Sequence, residues 1–329
     1  MGKIVSRRVV RSEPLQKFRI LNMREFYEKR NNILILRKVG GLGDIFMHRM
    51  MFEDFKLFMP DCQVHFACPF QYHAALTDHP FIDRILDSDA VDMNDYVVAY
   101  NTTFACGRYE MRLAPYSGLN RSDIWANHCG LKLTRHNMHI NMTDDELERG
   151  RQLMAKVRDR AGPIVVVTPV SAMEGKNLTE GQLDGVVRGL HERGYCVIGL
   201  HNTPIMQFVK RNWPQLDGTS IREWMAVLHE ADQVVSVDTA ALHCRGGMHK
   251  PVIGVFTFAD GLAYACHYPK AVIVQRHRRR DPTWTCGPCY NWTSCPKDRT
   301  NVRKPCLMEL TPKMILDGFD EMVSKFGGV

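Results

Sequence analysis

The sequence predicts an α/β protein made of two Rossmann-like parallel-sheet domains, and three observations carry that expectation. Short apolar runs alternate with helical patterns in both halves of the chain, the signature of a parallel sheet covered by helices. With 329 residues, 45% of them hydrophobic, the chain can bury two cores. Loops rich in glycine and polar residues follow the carboxyl ends of several runs, where open parallel sheets leave a ligand-binding cleft.

In the first half, residues 33–36 read as a buried strand, and Ile45, Phe52, Phe55 and Met59 then recur at helical spacing. Residues 63–67, 82–86 and 96–100 are further strands. The second half opens with Thr143 and Glu146, a capping box for a charged helix that joins the halves and ends at Gly162-Pro163. A strand follows at 164–168. Thr179 with Gln182 caps a helix whose apolar face is Leu183, Val186, Val187 and Leu190, and 196–200 is the next strand. Ser220 with Glu223 caps another helix, before a strand at 234–237, a helix at about 239–248 and a strand at 252–256. Thr311-Pro312 opens a last helix carrying Ile315, Phe319, Met322, Val323 and Phe326 on one face.

Charge is uneven. Residues 1–31 hold nine Lys and Arg against three Glu, which accounts for six of the seven net positive charges. A basic arm ahead of a near-neutral body suits contact with an anionic polymer or membrane surface, and equally a solvated tail. Arg276-His277-Arg278-Arg279-Arg280 could extend the same surface. No apolar run approaches the roughly 20 residues that span a bilayer, so the expectation is a soluble, cytoplasmic protein and not an integral membrane protein. Seven cysteines scattered among apolar neighbours agree with a reducing compartment. The other four follow Cys286-x2-Cys289-x5-Cys295-x10-Cys306, in a stretch too rich in Pro, Gly and Lys to form an apolar core; a structural zinc ion on four thiolates is expected there.

Four elements at strand ends can carry chemistry. Gly40-Gly41-Leu42-Gly43-Asp44 is a strand–turn–helix junction, where glycines let a ligand approach the backbone, but it fits neither the dinucleotide fingerprint nor a phosphate loop. Asp44 is there a candidate base or merely a helix cap. Lys176 lies in the polar loop after 164–168. Asp238 and Thr239 end a strand and open a helix, with Ala240 next and His243 one turn inside. The cysteine cluster is the fourth. Asp87-Ser88-Asp89 mimics a metal-binding pair but reads as an acidic surface loop.

The third element, Val237-Asp238-Thr239-Ala240 with His243 and Lys250-Pro251, resembles the lipopolysaccharide heptosyltransferase family of glycosyltransferases. Gly43-Asp44 and the stretch from Ser171 to Lys176 match two further motifs of that family in the right order, and a cysteine cluster before the last helix is also similar. The chain departs at Ala240, where the family has glycine, at Asn177-Leu178, at Thr257 and in its long basic arm. The resemblance implies a GT-B fold, two Rossmann-like domains facing a cleft. After the arm (1–31) would come an acceptor-side domain (32–145), a donor domain (146–310) containing the cysteine cluster, and a C-terminal helix (311–329).

It implies inverting transfer from a nucleoside diphosphate sugar, without a catalytic metal. Asp44 would be the base beside the acceptor-side loop Gly40, Gly41 and Gly43, and Lys176, Asp238, Thr239, Ala240 and His243 would hold the donor. The acceptor would be an anionic polymer. Here the basic arm tips the expectation slightly towards a hydroxymethylated DNA base over the lipopolysaccharide core, with a non-catalytic nucleotide-binding protein as the remaining alternative.

Overall fold

The computed structural model describes residues 31–113, 117–201, 213–276, 286–290, 295, 297 and 304–327. The basic arm, except Asn31, and residues 277–280 of the second basic run lie outside the described residues. The chain divides into two compact units. Unit 1 holds the described residues up to 109 together with 121–139, and unit 2 holds 110–120 and everything from 140 onward.

Unit 1 contains a four-stranded sheet of β1 (Asn32–Leu36), β2 (Gln63–Cys68), β3 (Arg84–Asp87) and β4 (Val98–Asn101) in the order β3-β2-β1-β4, all parallel. Between β1 and β2 runs α1 (Leu42–Phe58), with Ile45, Phe46, Met47, Met50, Met51, Phe52 and Phe55 all buried. Such breadth marks a helix enclosed by its unit, wider than the single stripe expected. Met59 forms its C-cap. β4 starts later than expected because a short 3-10 turn, capped by Asp92, occupies Met93–Asp95. After α2 (Ala105–Leu113), which the division between units cuts, α3 (Arg121–His128) buries Ile124, Trp125 and Ala126.

Unit 2 opens with α4 (Asp144–Val157), whose capping box is formed as read: Thr143 Oγ1 accepts from the Glu146 N–H, and Glu146 Oε2 accepts from the Thr143 N–H at 2.9 Å. The helix stops before Gly162-Pro163 because Arg158 leaves helical geometry and its guanidinium donates to the Arg160 and Gly162 carbonyls. Nor is it a connector. It packs inside unit 2, where a Cβ on Gly150 would lie 2.8 Å from the backbone of Ala226.

Next come β5 (Ile164–Thr168), α5 (Glu180–Glu192), β6 (Cys196–Leu200), β7 (Gln215–Leu216), α6 (Ile221–Glu230), β8 (Gln233–Val237), α7 (Ala240–Gly247), β9 (Val252–Phe256), α8 (Gly261–Tyr264) and β10 (Ala271–Gln275). α9 (Pro305–Met308) and α10 (Pro312–Phe326) follow. The sheet order is β10-β9-β8-β5-β6-β7, again parallel throughout. The capping boxes at Thr179/Gln182 and Ser220/Glu223 are both formed. The C-terminal helix α10 belongs to this core: Ile315, Phe319 and Met322 pack with Val186, Leu190 and Val274, and Gly185 and Gly189 make room for Pro312 and Leu316. No helix among the described residues is long and apolar enough to cross a membrane.

Candidate active site

Each unit places a charge-paired carboxylate near the carboxyl ends of its strands. In unit 1 it is Asp44. Gly41 is the N-cap of α1 and makes no side-chain cap bond, so Gly43 and Asp44 lie in the first turn and Asp44 does not serve as the cap. Its carboxylate is gripped by two guanidinium groups: Arg37 Nη2 donates to Oδ2 at 2.6 Å, and Arg121 Nη1 to Oδ1 at 3.1 Å. Burial would raise this acid, but Arg37 and then Arg121 outweigh it and hold Asp44 at about 2, so it is ionised at neutral pH.

Arg37 is itself fixed. Its Nη1 donates to the carbonyls of Thr102 and Thr103 beyond β4, and its guanidinium lies over the Trp125 ring at 5.1 Å. Gly40 explains itself here, since its φ of +140° favours glycine and a Cβ would stand 2.6 Å from Arg37 Nη2 and 2.7 Å from Asp44 Oδ2. Gly41 has open space beside it.

One turn along α1, His48 is fully buried and stacked on Trp125 at 3.8 Å. Its Nδ1 lies 2.7 Å from the Asp44 carbonyl oxygen, which can only accept, so Nδ1 carries the proton. Nε2 meets Thr102 Oγ1 at 2.9 Å. Burial, and next the Arg37 charge, lower His48 to about 3, so the ring is neutral and its Nε2 competes with the Leu36 carbonyl, 3.0 Å from Thr102 Oγ1, for the one Thr102 hydroxyl hydrogen. The imidazole thereby ties the first turn of α1 to the end of β4.

In unit 2 the carboxylate is Asp238, directly after β8. Lys176 Nζ lies 2.8 Å from its Oδ2, and His243 Nε2 lies 3.7 Å from its Oδ1. Burial would raise Asp238; Lys176 and then His243 override it and hold the carboxyl far below its ordinary range. Asp238 is not a cap either, because Thr239 takes the N-cap position of α7, half-buried like Ala240 beside it. His243, buried on α7, meets the Tyr268 hydroxyl through Nδ1 at 2.8 Å. Gly246, one turn on, lets the tyrosine ring lie against the helix, for a Cβ there would be 2.5 Å from it. The departure at Thr257 has a use: its hydroxyl donates to the Gly175 carbonyl at 3.0 Å and anchors the loop that carries Lys176.

The four clustered cysteines converge. The Cys306 thiol is pushed up to about 12, by burial first and then by Cys289, Cys286 and Cys295 in turn. Cys289 and its neighbour Tyr290 both donate their N–H to the Phe258 carbonyl at 3.0 Å, which joins the cluster to the loop after β9. Asp87 Oδ1 accepts from the Asp89 N–H, an ordinary turn contact in the loop that mimics a metal pair.

The sequence reading missed Arg37, Arg121, His48 and Tyr268. Arg37 left a signal, a charge closing the apolar run of β1 directly before the glycines. Arg121, 77 residues from Asp44, left none.

The model of glycosyltransferase family 9 (heptosyltransferase) matches residues 124–286. No curated protein sequence matches the chain. Among solved structures, ADP-heptose LPS heptosyltransferase II of E. coli is 12% identical with a TM-score of 0.66, over 89% of this chain and 99% of that one. A glycosyltransferase family 9 protein of Veillonella parvula is 10% identical with a TM-score of 0.69, over 90% and 98%. TibC, described as a dodecameric iron-containing heptosyltransferase in complex with ADP-D-β-D-heptose, is 13% identical with a TM-score of 0.64, over 96% and 81%. At such identities the structures speak for the fold, which is GT-B, and none of these findings supports a DNA-base acceptor. The family match over 124–286 agrees with the three sequence motifs in order, and the chain is similar there to the heptosyltransferases of glycosyltransferase family 9.

Proposed function

We propose that the chain transfers a sugar from an ADP-activated donor to a hydroxyl of the lipopolysaccharide core, with inversion at the anomeric carbon. The observation that carries this reading is the half-buried Asp44 carboxylate, held ionised between Arg37 and Arg121 at the first turn after β1. Unit 1 takes the acceptor and unit 2 the donor. The acceptor oxygen bonds to the anomeric carbon while the bond to the diphosphate breaks, and Asp44 takes the hydroxyl proton. A carboxylate this acidic receives the proton late, once the forming C–O bond has acidified the hydroxyl. The leaving diphosphate gains negative charge, met by Lys176 and by the backbone N–H groups at the start of α7 from Thr239 and Ala240. Asp238 and His243 orient Lys176 and the donor. This inventory of charge assigns no catalytic metal.

The sugar and the base follow the ADP-heptose of the solved relatives, and the acceptor follows their lipopolysaccharide chemistry. Transfer assays with ADP-heptose test the reading, with lipopolysaccharide core and hydroxymethylated DNA offered side by side. Label in the lipid fraction is the expected result. Label only in the DNA would replace the acceptor, and donor binding without any transfer would favour a non-catalytic nucleotide-binding protein.

A structural metal on the cysteine cluster is supported by its spacing and by the nearness of Cys286, Cys289 and Cys295 to the buried Cys306. Zinc on Cys286, Cys289, Cys295 and Cys306 is the expectation from spacing; TibC's description names iron. Elemental analysis of protein purified under reducing conditions should find about one metal ion per chain, and finding none would end the proposal.

A further inference from the structure

We infer that Lys304 is a second phosphate-binding cation of the donor site, supplied by the segment that carries the cysteine cluster. This inference rests on the donor-site reading above. Lys304 precedes α9 and is 6% exposed, an unusual setting for lysine. Its ammonium lies 4.7 Å from the centre of the Phe258 ring, and the Lys176 ammonium lies 5.8 Å from the same centre. The lysine stem runs along the Lys176 loop: a Cβ on Gly175 would meet Lys304 Nζ at 3.3 Å and Cε at 3.4 Å. Gly175 therefore leaves the width that Lys304 fills, and Thr257, directly after β9, clamps the same residue.

Phe258 is the hub of this arrangement. It follows β9, and its carbonyl receives the N–H groups of Cys289 and Tyr290, so the cysteine segment and the Lys176 loop are joined at one residue. Two ammonium groups against one ring at the carboxyl end of a parallel sheet form a site for a group with several negative oxygens, and a nucleoside diphosphate is the ligand of that chemistry here. A competing role for Lys304 is structural, beside the Cys306 thiol. The two roles differ in whether they depend on the ligand's phosphates.

Calorimetry with ADP, AMP and adenosine on the full-length protein separates them, using Lys304→Met, which keeps an apolar stem against Phe258, and Lys304→Arg, which keeps the charge. Lys304→Met should weaken ADP by roughly tenfold or more, AMP by less and adenosine hardly at all, while Lys304→Arg retains most of the ADP affinity. Unchanged ADP affinity in Lys304→Met, or equal losses for ADP and adenosine with loss of bound metal, would overturn the inference. Wild-type protein that binds none of the three would instead sink the donor-site reading itself.

Discussion

Asp44 and Asp238 occupy corresponding places, each beyond a central parallel strand, the first half-buried and the second buried, and each held ionised against the cost of desolvation. Their partners differ. Asp44 is bound through both oxygens by two guanidinium groups, and a neutral histidine fixes its helix turn. Asp238 is paired with a lysine on a loop and a histidine on a helix. Arginine's planar fork holds a carboxylate in one orientation, whereas an ammonium is a point charge on a flexible stem. The contrast teaches a division of labour: the first arrangement suits a base that must present one lone pair, and the second suits a cation that must turn from Asp238 towards an arriving phosphate.

If that division holds, the largest effect on binding comes from unit 2. Lys176→Met should raise the dissociation constant for ADP by roughly tenfold to a hundredfold, the worth of one charge-assisted hydrogen bond, and calorimetry reads it directly. Equal weakening of adenosine would show that the lysine only shapes the loop.

The next effect lies in unit 1 and depends on pH. His48 falls from its ordinary 6.5 to about 3 in the folded protein, so its contribution to stability is complete above pH 6.5 and declines as the pH falls towards 3, because the unfolded chain takes up the proton first. Between about pH 7 and pH 5 this amounts to about 2 kcal/mol. Asp44 acts in a lower window: its contribution is complete above 3.8 and is lost as the pH falls through about 2. Denaturant melts of His48→Asn should show a flatter pH dependence above pH 5 than the wild type. An unchanged slope would mean that other histidines carry it.

The smallest effects sharpen the geometry around Asp44. Gly40→Ala must strain a backbone at φ +140° and displace the Arg37–Asp44 pair, at a cost of about 1–3 kcal/mol, while Gly41→Ala, with nothing within 4 Å, should stay within about 0.5 kcal/mol. Thermal melts of the two variants test whether the glycines differ in this way.

Much of this was legible because it was local. β5, β6 and β9 lie where continuous apolar runs put them, and all three capping boxes formed, since each needs only residues three apart. β10 was missed although Ala271–Gln275 is an equally plain apolar run, and β7 has two residues, too few to show a period. At the site, glycines and carboxylates announced themselves by position in the turn. The cations that set their chemistry did not, because Arg121 and Lys304 arrive from far along the chain and their neighbours are chosen by the fold. Asp44 read from sequence alone could have been a cap; only its two arginines show that its oxygens are occupied by charge.

The measurement that bears most directly on the division of labour is the pair of donor affinity and turnover in Asp44→Asn, with circular dichroism to confirm that the variant folds. ADP-sugar affinity should stay within about twofold of wild type while transfer falls by at least roughly a hundredfold, the usual worth of a positioned base. Transfer near the wild-type rate would contradict that division and leave Asp44 as an anchor for two arginines.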